Sequence, residues 1–199
     1  MRPISETAGE ELLWIQPAAR RREHELRAGD DVVATLRFQR GSLADAEAEG
    51  HHWTFKRQGF WQPRVTVRVA GSDADVAVFR PRWAGGGTLD FADGRSVRLS
   101  SANFWQSQWV WQEKDQPLIL FKGRHGIVKA KGAVEIQPGA AGRPDAPLLV
   151  LLGWYLILLH AEDANAAAGS STAAVAARTD TSRSARSYPT QASARTHSG

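Results

Sequence analysis

The chain has 199 residues, 42% of them hydrophobic, which is enough apolar side chain for one domain with its own core. It contains no cysteine, which excludes disulfides, thiolate metal sites, a cysteine nucleophile and palmitoylation. The net charge of +4 comes mostly from arginines after residue 164, so nucleic-acid binding by the folded part is not expected. The polar, acidic start lacks the apolar run of a signal peptide, which favours a cytoplasmic protein.

Short runs of alternating apolar and polar residues fill the chain up to about residue 138. Val65, Val67 and Val69, for example, alternate with arginine and threonine, as in strands with one buried face. Turn residues separate the runs, most clearly at Asp93-Gly94, which predicts a hairpin with a type I′ turn. We count about twelve candidate strands, at the spacing of a sandwich or barrel. The acidic stretch Gly41–Gly50 is interpreted as a solvated loop.

A different pattern follows the Gly/Pro/Ala-rich loop that ends at Pro147. Residues Leu148–Leu159 carry no charge, and Asp145 and Pro147 suit the start of a helix, which we predict over residues 147–160. The apolar run is shorter than the roughly 20 residues of a spanning helix, which favours a buried core helix over a tail anchor or re-entrant segment. The chain is therefore not expected to be transmembrane.

The two ends of the chain are polar. Residues 165–199 are rich in Ala, Ser, Thr and Arg with few large apolar side chains, which predicts a disordered tail. Residues 1–9 are interpreted as a flexible N-terminus. One β-rich domain is thus predicted over residues 10–164.

A series of strands followed by one fully apolar helix resembles the tubby-like superfamily, which includes the tubby C-terminal domain, the phospholipid scramblases and the LURP-one-related proteins. The resemblance covers about residues 10–163. It rests on Asp93-Gly94 with the strand at Val97, on the aromatic residues Asn103-Phe104-Trp105 and Trp109-Val110-Trp111, and on the helix Leu148–Leu159. It implies a closed antiparallel barrel of about twelve strands wrapped around a central hydrophobic helix.

The sequence departs from the scramblases in several respects. It has no counterpart of their cysteine-rich palmitoylated stretch, their proline-rich N-terminal region, their acidic calcium loop or their C-terminal spanning segment. A binding role of the tubby type therefore fits this chain better than lipid flipping.

Motifs of catalysis and of metal or cofactor binding are missing. The chain has no Gly-x-Ser-x-Gly elbow, phosphate loop or dinucleotide motif. His51 and His52 are adjacent and would point to opposite faces of a strand. Asp73 and Asp75 begin like a calcium loop but lack its glycine and glutamate. We predict a protein that is not an enzyme and has neither metal nor cofactor.

Basic residues near one predicted hairpin form the candidate binding site. Their positive charge suits phosphate or anionic lipid headgroups, and tubby domains bind phosphoinositides through a basic patch. The alternative is an ordinary solvated strand face. The residues of this predicted anion patch are Lys122, Arg124, Lys129 and Lys131, and a second cluster is Arg20-Arg21-Arg22.

These observations favour a binding or scaffolding module that recognises anionic lipid headgroups or phosphorylated ligands. Its partner is then an anionic membrane surface, to which it would bind peripherally. Two alternatives stay open: a protein-interaction module that uses loops such as Gly41–Gly50, and a small-ligand carrier with a cavity beside the helix. Trp154 and Tyr155 count against the carrier, because they are large enough to fill a barrel.

Overall fold

The computed structural model describes residues 3–7, 10–18, 21–59, 61–82, 85–102, 108–123 and 131–183. The strands are β1 (Leu12–Ile15), β2 (Glu23–Ala28), β3 (Asp31–Phe38), β4 (Ala44–Ala48), β5 (His51–Gln58), β6 (Arg64–Val69), β7 (Asp75–Pro81), β8 (Gly87–Phe91), β9 (Ser96–Ser101), β10 (Gln108–Glu113), β11 (Gln116–Gly123) and β12 (Gly132–Ile136). A single α-helix, α1 (Ala146–Arg183), follows β12 within the described residues.

The strands form one closed antiparallel barrel. Each strand pairs with the one before it in sequence, and β1 closes the barrel by pairing with β12. The closing register sets Leu12 opposite Val134 and Trp14 opposite Gly132. Closure leaves no unpaired edge strand. The predicted fold class, a barrel of about twelve strands around one helix, is confirmed.

The barrel interior is filled by the first part of α1. Residues 146–155 of the helix are buried on all sides, and the inward positions of each strand pack around them. Gly153 marks the tightest approach, because a Cβ there would lie 2.3 Å from Cζ of Phe121 and 2.7 Å from Nε1 of Trp111. The helix and the strands therefore pack without space for a larger side chain at this level.

The helix is longer than the predicted range 147–160. It continues to Arg183, because alanine, the strongest helix former, dominates the residues that follow. Its buried part ends at Leu159, and residues 160–168 are exposed and belong to a second compact unit. Of the tail 165–199 that was predicted to be disordered, residues 165–183 belong to the helix, and disorder stays a prediction for residues 184–199, which lie outside the described residues.

The helix also meets the length and apolarity of a membrane span. The stretch Ala146–Ala168 has a mean hydropathy of 1.4, but 67% of its most apolar window is buried inside the protein. A barrel-filling helix satisfies the same criterion, and burial supports the prediction of a core helix.

An ion network fixes the start of the helix. The guanidinium of Arg143 donates to both carboxylate oxygens of Asp145 at 2.9 Å and to Oε2 of Glu113 on β10 at 2.9 Å. Arg95, directly before β9, also donates to Oδ2 of Asp145 at 2.9 Å. The Asp145 carboxylate is 6% exposed and stands at the positive end of the helix, where a negative charge is stabilising.

Two predictions about local structure differ from what the structure shows. The acidic stretch Gly41–Gly50 is not a loop throughout, because Ala44–Ala48 forms β4 with its alanines inward and Asp45 and Glu47 outward. Small inward residues give weak strand propensity, and pairing with β3 and β5 overrides it. Near the N-terminus, Ile4–Thr7 forms a short 3-10 helix, and Ile4 is 1% exposed.

The hairpin predicted at Asp93-Gly94 is present between β8 and β9, but its turn is of another type. The N–H of Gly94 donates to the carbonyl of Phe91, and the N–H of Phe91 donates to the carbonyl of Arg95. Only Gly94 has a positive φ, of 88°, whereas a type I′ turn needs two such residues. The connection is a type I turn followed by a left-handed glycine.

Candidate anion-binding surface

Two residues of the predicted anion patch, Lys122 and Lys131, lie on and next to β11 and β12, which pair as a hairpin. Lys122 is opposite Ala133 near the end of β11, and Lys131 is exposed directly before β12. Arg124 and Lys129 lie outside the described residues. The structure therefore positions two of the four predicted residues.

The charge of Lys122 is compensated within the hairpin. Its Nζ donates to Oε2 of Glu135 on β12 at 2.6 Å, and both side chains are about half exposed. This bond and a second one from Gln137 hold the pKa of Glu135 below its usual value. Sequence reasoning missed this pair, because only the register of β11 with β12 brings the two residues together.

The connections between strands divide by charge between the two ends of the barrel. Because the barrel is antiparallel, every second connection lies at the same end. One end, which we call the basic end, has the connections 16–22, 39–43, 59–63, 82–86, 102–107 and 124–131. These six segments contain no Asp or Glu in their sequence. The exposed cations among their described residues are Arg21, Arg22, Arg40, Arg82 and Lys131.

Carboxylates near the basic end lie on strands and are bonded to neighbouring side chains. Glu23, the first residue of β2, accepts a 2.6 Å hydrogen bond from Nη2 of Arg37. Asp45 on β4 accepts a hydrogen bond from the amide of Gln39. The rim formed by the connections thus keeps its excess of positive charge.

The opposite end of the barrel, where α1 begins, is acidic. Its connections contain Asp30, Glu49, Asp73, Asp93, Asp115 and Asp145. Two of its cations, Arg95 and Arg143, are bonded to Asp145. The barrel therefore carries opposite charge at its two ends, a feature that becomes visible only when the strand order is known.

Trp61 stands on the rim of the basic end. It lies in the β5–β6 connection and is 90% exposed, which is unusual for the largest apolar side chain. Arg57 and Arg64, both exposed, flank it at the ends of β5 and β6. Its position between Gly59 and Pro63, two turn formers, is a sequence signal of a surface loop.

Neighbouring connections at this end are fixed to the barrel. The guanidinium of Arg22 lies 4.4 Å above the ring of Phe38 and donates to the carbonyl of Gly41 at 2.9 Å. The buried Tyr155 of α1 donates to the carbonyl of Ser42 at 2.6 Å. Arg22 and the β3–β4 connection are therefore presented by a rigid support.

In the part of the chain that the structure describes, we find neither a metal site nor space for a ligand beside the tightly packed parts of the helix. No three His, Asp or Glu side chains there are grouped as metal ligands. The close contacts of Gly153 and of Gly132, where a Cβ would lie 2.5 Å from the Trp154 ring, leave no room for a ligand beside those parts of the helix. A ligand is therefore expected to bind on the outer surface of the barrel.

Comparison of the chain with family models, with curated proteins and with solved structures finds no match.

Proposed function

We propose that this protein is a non-enzymatic binding module that docks the basic end of its barrel on membranes containing anionic phospholipid. The observation that carries the proposal is a rim of exposed cations, free of acidic residues in its connections, with Trp61 90% exposed upon it. The barrel around a helix has the architecture that the resemblance to the tubby-like superfamily implies, and membership in that superfamily is part of the proposal.

Electrostatic attraction provides most of the expected affinity. Each Lys or Arg close to an anionic membrane surface contributes about 1 kcal/mol. The cations of the basic end come from separate connections of one rigid barrel, so they face the membrane together without a large loss of conformational entropy. Their contribution falls with added salt, because the interaction is screened over about 10 Å at 0.1 M.

Trp61 adds an interfacial anchor. Tryptophan is enriched at the boundary between lipid headgroups and acyl chains, where its ring is apolar and its N–H can donate to a headgroup. Its flanking residues Arg57 and Arg64 would meet the phosphates while the indole enters the interface. This arrangement of one apolar anchor between cations matches a charged lipid surface better than a neutral one.

Vesicle co-sedimentation of the full chain tests the proposal. We expect binding to vesicles of phosphatidylcholine with phosphatidylserine and little binding to phosphatidylcholine alone. Arg57→Gln with Arg64→Gln should weaken binding roughly thirtyfold, as expected for two surface cations at about 1 kcal/mol each, and Trp61→Ala should weaken it further. The tail arginines are the same in every variant, so a difference between variants reports on the barrel.

The matched control changes the same net charge away from the basic end. Arg27→Gln with Arg68→Gln removes two cations that pair with Glu25 and Asp75 near the acidic end. This control should bind as the unmodified chain does. Equal weakening in the control and in the Arg57/Arg64 variant, or binding that ignores lipid charge, would overturn docking by the basic end.

A further inference from the structure

A cleft on the outer wall of the barrel, which shares Arg82 with the docking rim but extends away from it, is bordered by cations from three parts of the chain. It has a volume of about 270 Å³ and lies across β8, β9 and β10. Arg82 borders it from the β7–β8 connection, Arg98 from β9 and Lys114 from the β10–β11 turn. Thr88 and Ser96 contribute hydroxyl groups to the same cleft.

Arg82 and Lys114 lack the carboxylate partners that several cations of the wall have. Arg27, Arg37, Arg68 and Arg80 are each paired with a carboxylate, Arg68 with Asp75 at 2.6 Å. Arg82 and Lys114 make no ion pair with any residue that the structure describes. Two positive charges therefore border one small cleft without a carboxylate to compensate them.

Two carboxylates lie near the cleft, and both are already bonded. Asp115 accepts a 2.9 Å hydrogen bond from Nη2 of Arg98. Asp90, opposite Ser96 in the β8–β9 register, is paired with Arg80. Neither acid cancels the charge of Arg82 or Lys114, so the cleft retains a positive excess.

The backbone at Lys114 points to a role beyond turning the chain. Lys114 and Asp115 have φ values of 48° and 66°, and they join β10 to β11 as a two-residue turn. Non-glycine residues with such φ values cost on the order of 1 kcal/mol or more, and glycine is the usual residue here. A lysine at this position costs stability but places an ammonium group at the cleft.

We infer that this cleft is a binding site for a small phosphomonoester. Guanidinium, ammonium and hydroxyl donors converging from different elements suit the oxygens of a doubly charged phosphate. The volume is close to the lower limit of small-ligand pockets, which suits a phosphate on a short polyol. The phosphate can come from a soluble metabolite or from a lipid with a phosphomonoester headgroup.

Lys114→Gly is the informative variant. Glycine relieves the positive φ, so the variant should be as stable as the unmodified chain, or more stable, in chloride buffer. It removes the ammonium group, so calorimetric titration with glycerol 3-phosphate should show an affinity weakened roughly tenfold, the loss of one charge-assisted hydrogen bond. Arg82→Gln should give a similar loss.

Controls separate a phosphate site from general attraction. Arg68→Gln, which changes the same charge elsewhere, should titrate as the unmodified chain does, and so should the Arg57/Arg64 variant of the docking rim. Sodium chloride at matched ionic strength should not compete with glycerol 3-phosphate. The two sites can therefore succeed or fail separately.

Vesicles with phosphatidic acid distinguish the two sources of phosphate. If Lys114→Gly weakens binding to these vesicles and glycerol 3-phosphate does not bind, the ligand is the lipid headgroup. If it weakens only the titration with glycerol 3-phosphate, the ligand is soluble. Unchanged affinity of Lys114→Gly and of Arg82→Gln for both probes, or no binding of either probe, would overturn the inference.

Discussion

The hydroxyl of Tyr155, on the buried part of the helix, donates a 2.6 Å hydrogen bond to the backbone carbonyl of Ser42 in the β3–β4 connection. Phe38 stacks on the same ring with centroids 5.4 Å apart, and Phe55 meets it edge-on. One side chain thus links the helix to two strands and to a connection of the basic end.

Loss of this bond should destabilise the barrel. Tyr155→Phe leaves the ring contacts and removes the hydroxyl, so the free energy of unfolding should fall by about 1 kcal/mol, the net value of a buried hydrogen bond. Urea unfolding measures the change. Trp61→Phe, at a position 90% exposed, is the control and should unfold at the same urea concentration as the unmodified chain.

Gly153 should not tolerate even one added methyl group. In Gly153→Ala the Cβ would lie 2.3 Å from Phe121, so we expect a loss of about 1–3 kcal/mol despite the better helix propensity of alanine. Phe121→Leu shortens the opposing side chain. The double variant should lose less than the two single losses added together, and additive losses would contradict this contact.

Stability should fall in mild acid because of His24. This residue is 5% exposed between Phe38 and Trp154, and burial, together with Arg22, lowers its pKa from 6.5 to about 4. Between about pH 6.5 and pH 4, His24 is protonated in the unfolded chain and neutral in the folded chain. Stability is therefore complete above pH 6.5 and falls as the pH decreases, by about 3 kcal/mol at the acid end of this window.

Thermal unfolding between pH 4 and pH 7 tests the role of His24. In His24→Leu the decrease over this window should be largely absent. Carboxylates with lowered pKa, such as Glu113 and Asp145, act at lower pH, because their contribution is lost only as the pH falls below their usual values of 4.5 and 3.8. A decrease of the same size in His24→Leu would exclude this histidine as the cause.

The ion network at the helix start should depend on Asp145. Asp145→Asn removes the charge that Arg143 and Arg95 share, so a loss of about 2–4 kcal/mol is expected at neutral pH. Asp93→Asn removes an exposed carboxylate that also pairs with Arg95 and should cost less than about 1 kcal/mol. Chemical unfolding at pH 7 of both variants measures the difference, and equal losses would contradict a special role of the buried carboxylate.

Much of the barrel could be predicted from the sequence because alternation and turn residues are local signals. Val65 and Val67 reveal an inward face by their spacing alone, and the uncharged run before His160 reveals a buried helix. β4 escaped prediction because its inward residues are alanines, whose burial depends on neighbouring strands rather than on their own hydrophobicity. The end of the helix was not predicted because the apolar run ends at Leu159, whereas alanine-rich sequence of high helix propensity continues beyond it.

The candidate sites were harder to predict because they depend on strand order and register. Lys122 was correctly expected in a hairpin, but its partner Glu135 follows from the pairing of β11 with β12. The basic end joins segments as distant in sequence as residues 16–22 and 124–131, and no local pattern marks them as neighbours. The strain at Lys114 is a backbone property that residue types do not reveal.

The order of elements along the chain has a consequence for biosynthesis. Every strand of the barrel leaves the ribosome before Leu148–Leu159, the segment that fills the interior. Until that segment emerges, the inward side chains of the strands have no helix to cover them, and β1 and β12 are exposed to pairing with other chains. We therefore expect a nascent chain that stalls before the helix to be prone to aggregation, and the native core to be completed only after the last apolar segment is synthesised.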